Sequence, residues 1–171
     1  MRFPVSGGSP EQVLQSRIDA TTVFHCPSHP AGSCVLSRWQ QGQLIFYALD
    51  PVQGQGKEIA RTKLGPATDL VWAVSPEGLR IAVATRDQLP EKVRILDLRN
   101  GTERSLQLPH GWRIFNLGWA VDGNALFAAA TASSKCSTVP LAHFATIDPS
   151  AGFTTSIVSR VVTARPPMII G

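Results

Sequence analysis

The sequence predicts an all-β protein: a β-propeller segment of about three four-stranded antiparallel blades, with partial blades at both ends. Three observations lead there. The stretch from Leu70 to Gly101 alternates short apolar runs with turn chemistry: Leu70-Val71-Trp72-Ala73-Val74, then Ser75-Pro76-Glu77-Gly78, then Leu79 to Ala84, then Val93 to Leu98. Proline presets the backbone of a turn and glycine supplies its left-handed position, so Ser75 to Gly78 joins two strands. Asn100-Gly101 is a strong hairpin signal that joins two more. The same pattern then recurs. Trp119-Ala120-Val121-Asp122-Gly123 answers Val74 to Gly78, and an apolar-Asp-x-x-x-Gly element ends at Gly54, Gly101 and Gly152, at intervals of 47 and 51 residues. A period of this size with four strands per unit is the signature of propeller blades.

Taken in order, residues 1–16 read as the end of a preceding blade. Phe3 to Val5 is strand-like, Gly7-Gly8-Ser9-Pro10 is a turn, and Gln12-Val13-Leu14 forms an outer strand. The first full blade occupies 17–64, with strands near Thr21–Cys26, Ser33–Arg38, Leu44–Asp50 and Lys57–Arg61, and turns at Gln41-Gly42 and Gln53-Gly54-Gln55-Gly56. The second occupies 65–110 and the third 111–159. In the tail, 160–171, Pro166-Pro167 stops any strand because proline cannot donate to a ladder. The tail is either the start of another blade or an irregular end. Closed propellers use about four to eight blades, so three and a fraction are expected to need completion. The expectation is that the rest of a longer parent chain supplies it, with a partner as the alternative.

With 43% hydrophobic and 16% charged residues over 171 positions, the chain can bury a core. No apolar run reaches the roughly 18 residues of a membrane span, and Met1 to Gly8 lacks the apolar centre of a secretory signal. No membrane contact is therefore expected of this segment. The net charge is +4, but the 16 Lys and Arg are scattered, whereas nucleic-acid readers concentrate basic charge on one face. No nucleic-acid partner is expected.

His25, Cys26, His29 and Cys34 lie within ten residues and are of zinc-ligating type, in a spacing that matches no familiar finger or ribbon. Cys26 and Cys34 read as a disulfide or as two packed thiols, with metal as the third reading. A disulfide here would add about 2–3 kcal/mol by closing a short loop and would favour an oxidising compartment. Cys136, in a Ser/Thr-rich loop, reads as a free thiol. Asp50, Asp97 and Asp148 recur at strand ends before turn glycines, where an Asp side chain bonds the local backbone; a calcium array is the competing reading. Trp72 and Trp119 are expected between blades. Trp39 and Trp112 fall near turns, and His110-Gly111-Trp112-Arg113 has the make-up of a binding loop. There is no Gly-x-Ser-x-Gly elbow, phosphate loop or metalloprotease His pair. Hence no residue is assigned a catalytic, cofactor-binding or metal-binding role, no cofactor is expected, and the chain is not read as an enzyme.

The phrases Ser75-Pro76-Glu77-Gly78-Leu79-Arg80-Ile81-Ala82 and Trp119 to Gly123, each followed by a strand and then Leu-Asp or Ile-Asp with a turn glycine, resemble the TolB-like propeller repeat, as does Gly7 to Pro10. The segment from Cys34 to Pro51 resembles the propeller part of large bacterial regulators, where such propellers follow a serine/threonine-kinase or winged-helix domain. The resemblance covers about Met1 to Ser159. Departures occur at Ala120-Val121, in place of Ser-Pro, and at Pro30-Ala31-Gly32, in place of an acidic-Gly turn. The resemblance implies a non-catalytic module for interaction or sensing, with a protein or small ligand as partner. The alternative it implies is the substrate-gating propeller of a prolyl-oligopeptidase-like serine peptidase whose catalytic domain lies outside this chain. A carbohydrate- or metabolite-binding propeller is the third reading. The sequence does not fix a compartment; the periplasmic side of a bacterial membrane is favoured by the disulfide reading.

Overall fold

The computed structural model describes residues 1, 3–14, 22–28, 32–64, 69–85, 92–107, 112–132, 142–147 and 158–159, the last two segments together with 112 and 131–132 by their backbone alone. Among the described residues, twelve strands form three four-stranded antiparallel sheets in strict chain order. The first holds β1 (Val23–His25), β2 (Cys34–Gln40), β3 (Gln43–Asp50) and β4 (Gly54–Lys63). The second holds β5 (Leu70–Val74), β6 (Arg80–Thr85), β7 (Lys92–Asp97) and β8 (Thr102–Gln107). The third holds β9 (Trp112–Trp119), β10 (Leu126–Ala132), β11 (Ala142–Ile147) and β12 (Val158–Ser159). No helix occurs among the described residues.

The turns follow from local chemistry. Gln41 and Gly42 have φ of 50° and 78°, the two left-handed positions of a tight hairpin between β2 and β3. Asp50 ends β3 by accepting hydrogen bonds at Oδ1 from the Val52 and Gln53 amides, at 2.7 and 2.8 Å. Asp97 repeats the device at the end of β7, accepting from the Arg99 amide at 2.9 Å. The β5–β6 and β9–β10 turns share one geometry: Gly78 donates to the Ser75 carbonyl at 2.8 Å, and Gly123 to the Ala120 carbonyl at 2.9 Å.

Anchored on these aspartates, the sheets match residue by residue. Leu49 and Leu96, just before Asp50 and Asp97, pair with Cys34 and Ile81; Ile147, before Asp148, pairs with Leu126. One strand inward, Ile81 pairs with Val74 and Leu126 with Trp119, while Cys34 is bonded to Cys26. Two residues along, on the same face, lie the pairs Phe24–Leu36, Trp72–Val83 and Leu117–Ala128.

Each sheet packs on the next. Val35, Leu44 and Phe46 of the first bury against Trp72, Ile81, Val83 and Leu96 of the second. On the far side of the second sheet, Ala73, Ala82, Ala84, Val93 and Ile95 bury against Ile114, Leu117, Leu126 and Ala128 of the third. Small residues on the second sheet let the third approach closely. The stack is open, since the three sheets do not close on themselves.

Several expectations shift. Neither Phe3–Val5 nor Gln12–Leu14 forms a strand, and the first turn lies at Pro4–Gly7, with the Gly7 amide on the Pro4 carbonyl at 3.1 Å, not at Gly7 to Pro10. A three-residue apolar run becomes a strand only with a ladder partner, and the described part of this stretch holds a single isolated bridge, at Glu11. Gly54 and Gly56 lie within β4, so that turn is Pro51 to Gln53. Trp39 is inside β2 and packs on the first seam.

Candidate functional site

The first seam is centred on Trp72. Its ring meets Phe46 edge-on, with centroids 5.2 Å apart at 69°, and His25 at 4.4 Å and 72°. These quadrupole-favoured contacts tie β1 and β3 to β5. At the outer end, the Thr62 hydroxyl donates to Glu103 Oε2 at 2.9 Å, and Arg94 Nη1 donates to Glu103 Oε1 at 2.9 Å, adding a polar rung between the sheets.

Burial holds the His25 pKa below its ordinary 6.5. The neutral ring is therefore the folded form. The unfolded chain binds the proton first, so stability is full above about 6.5 and falls as pH drops below it. We expect the midpoint of denaturation to decline between pH 7 and 5 and His25→Phe to remove that step. An unchanged slope in the variant would assign the decline to other groups.

The second seam is held by one arginine. Arg80 opens β6, and its amide donates to the Ser75 hydroxyl at 2.9 Å, which fastens the turn. Its guanidinium donates from both Nε and Nη2 to Glu77 Oε1, at 2.9 and 2.7 Å, and from Nη2 to the Gly123 carbonyl at 2.7 Å in the equivalent turn of the next sheet. It also lies 4.8 Å over the Trp119 ring, whose indole N–H donates to the Ala73 carbonyl at 3.2 Å. Burial pushes Glu77 up, but hydrogen bonds from its own backbone, Arg80 and Ser75 outweigh it, so its carboxyl stays ionised below the usual range. Gly123 has φ +70°, and a Cβ there would meet Glu77 Oε2 at 2.7 Å and Arg80 Nη2 at 3.0 Å. Gly123→Ala should therefore cost about 1–2 kcal/mol, from the left-handed backbone and displacement of the clamp. Urea titration checks this; a neutral result would mean that the turn does not dock as described.

The turns form a row along one end of the stack. Gly78 sits where an added Cβ would touch Gly32 and Pro27 of the β1–β2 hairpin at 3.6 and 3.7 Å, and Gly123 lies beside Arg80 on the other side. In the first sheet this hairpin is closed covalently: Cys26 and Cys34 form a disulfide across Cα atoms 4.0 Å apart. Of the three readings of this pair, the bond is the one realised.

Two cavities lie against the first sheet. One of about 340 Å³ opens between the outer strands and includes Glu58, Arg61, Asp97, Thr102 and Glu103. Arg61 is engaged there, with Nε and Nη2 donating to Glu58 at 2.6 and 2.7 Å. The other, about 330 Å³ and mainly apolar, lies on the far face of the first sheet, lined by Phe24, Leu36, Leu49 and the disulfide on one side and by Met1, Val13 and Leu14 of the N-terminal segment on the other.

Of the residues singled out in the sequence, Cys26 and Cys34 come together, His25 packs on Trp72 instead, and Asp50 and Asp97 serve their turns, as the local-bonding reading expects. Among the described residues no group of three or more His, Cys, Asp or Glu could hold a metal ion. His29, His110, Gly111, Cys136 and Asp148 lie outside the described residues, as does the Trp112 side chain. Thr62 and Glu103 were not singled out, and Arg80 stood only within the Ser75 to Ala82 phrase of the repeat, without a role. The chain matches no protein-family model and no curated protein.

Proposed function

We propose that the chain is a non-catalytic β-propeller module that binds a protein or a small ligand and serves as the interaction or sensing part of a larger bacterial regulatory protein. The observation that carries this reading is the repetition of one apolar face, position by position, in three consecutive four-stranded sheets stacked in chain order. Blades of a propeller succeed one another in this way. The engagement of Arg80, Glu77, Arg94 and Glu103 in fastening turns and seams supports a recognition role, since these ionisable groups are committed to structure. Binding is proposed at the row of turns, where Val121 and Asp122 are exposed beside the Glu77–Arg80 clamp. Short loops on a rigid scaffold are the usual carriers of recognition.

The test is affinity capture with the parent protein, followed by hydrogen-exchange mapping on this module with the recovered partner or ligand. Protection confined to 75–80 and 120–125 is the expected result. Recovery of no specific partner or ligand, or turnover of peptide or ester substrates by the chain itself, would overturn the reading.

A further inference from the structure

The apolar cavity on the far face of the first sheet is built from both a sheet and an irregular segment. Leu36, Leu49 and the Cys26–Cys34 disulfide line it from the sheet, and Val13 and Leu14 from the N-terminal segment. Phe24 also lines it and is 62% exposed, so the space communicates with solvent there. Strand alternation puts Arg38 on this same face, two residues beyond Leu36. Its neighbours face the other way, since Ser37 pairs with Phe46 and Trp39 packs in the first seam. Thr22, another lining residue, precedes Val23, the ladder partner of Ser37, and so stands beside Arg38. Arg38 is half-buried, and its Nε is buried with no hydrogen-bond partner among the described residues. The other half-buried arginines, Arg80 and Arg94, each meet a carboxylate, at 2.7 and 2.9 Å. Arg38 meets none among the described residues. A guanidinium partly removed from water in this way lacks the acceptor that would offset its lost hydration.

We propose that this cavity binds a medium-chain aliphatic carboxylate, with the carboxylate on the Arg38 guanidinium and the chain running along β2 toward the disulfide. The site stands apart from the row of turns and does not depend on the blade reading. Charge and lining choose the ligand class. Arg38 supplies one cation whose planar fork matches a carboxylate, and the lining between it and the disulfide is apolar. A sugar would need several hydrogen-bonding groups, whereas Thr22 is the single hydroxyl among the lining residues. Volume sets the length. A cavity of about 150 Å³ holds benzene, so one of about 330 Å³ suits a chain of roughly eight to ten carbons. Along β2 the four steps from Arg38 to Cys34 cover about 13 Å at strand spacing. A chain anchored at Arg38 therefore ends against the two sulfurs and covers them.

The experiment titrates decanoate and decanol into the oxidised chain by calorimetry, for the wild type and for Arg38→Gln. Hydrogen exchange and free-thiol counts under dithiothreitol are followed on the wild type with and without decanoate. The expected result is one saturable decanoate site, preferred over decanol by about tenfold or more, as a hydrogen bond to a charged group gives. Arg38→Gln should abolish that preference and leave decanol binding unchanged. Bound decanoate should slow reduction of Cys26–Cys34 by about threefold or more through restricted access, and protect amides of β1 and β2. Absence of saturable decanoate binding overturns the inference. So does equal affinity for the two ligands, which would reduce the cavity to apolar burial alone, and so does a decanoate preference that survives in Arg38→Gln. Protection at 75–80 and 120–125 in place of β1 and β2 would put the ligand at the row of turns and overturn this site while leaving the proposed role of the turns standing. Should Arg38→Gln lose its β spectrum, the wild-type comparison of the two ligands and the thiol counts decide, and a disulfide reduced equally fast with decanoate bound overturns the inference.

Discussion

Trp72→Ala is expected to lower stability by about 3–5 kcal/mol, as truncation of a large buried aromatic does when the surroundings cannot collapse. Trp72 is buried and meets Phe46 and His25 across the first seam. The cavity left behind would therefore open between two sheets, and neither ladder can shift into it without losing its own pairing. Its indole nitrogen is buried with no hydrogen-bond partner among the described residues, so the loss is one of packing and edge-on ring contacts. Trp72→Phe should consequently cost much less than Trp72→Ala, since it keeps a ring and removes an unsatisfied donor. Urea denaturation of the three proteins decides the matter. A cost below about 1 kcal/mol for the alanine variant, on the cavity scale used here, would mean that the first two sheets do not pack through this residue.

Reduction of Cys26–Cys34, or its replacement by two alanines, should lower stability by about 2–3 kcal/mol through the regained freedom of a short loop. For a chain of this size that corresponds to a fall in melting temperature of roughly 5–10 °C. The β1 strand should suffer most. It is three residues long and its ladder with β2 ends at His25–Val35, one position before the bond. Because His25 sits on Trp72, loosening β1 should also expose that indole. Melts with and without reductant, read by tryptophan fluorescence, would show both effects; superimposable curves would mean that the ladder alone holds the hairpin.

The strands of the first two sheets were legible because each is a run of apolar or β-branched residues closed by an unambiguous turn signal: Gln41-Gly42, Asp50 to Gly54, Ser75 to Gly78, Asp97 to Gly101. Such signals act within a few residues, which is the range over which a sequence can be read directly. The links between sheets act over longer separations. Arg80 and Gly123 are 43 positions apart, and Thr62 and Glu103 are 41, so nothing near either partner announces the other. The cysteine pair was ambiguous for a related reason: its spacing allows a bond, two thiols or a metal, and only the cross-strand placement selects the first. The strand-like runs at Phe3–Val5 and Gln12–Leu14 misled because β character resides in the partner as much as in the run.

The edges of the sheets behave differently from their faces. The outermost strands β4 and β8 carry Lys57, Glu58, Arg61 and Lys63, and Glu103 and Arg104, close to their unpaired edges. Charges of both signs along an edge discourage a further strand from docking there, which is how natural β proteins resist fibril growth by lateral extension. Insoluble cross-β material is thus disfavoured, even though Phe24 and Phe127 are exposed. Raising the protein concentration should therefore not seed amyloid-like ribbons through these two edges.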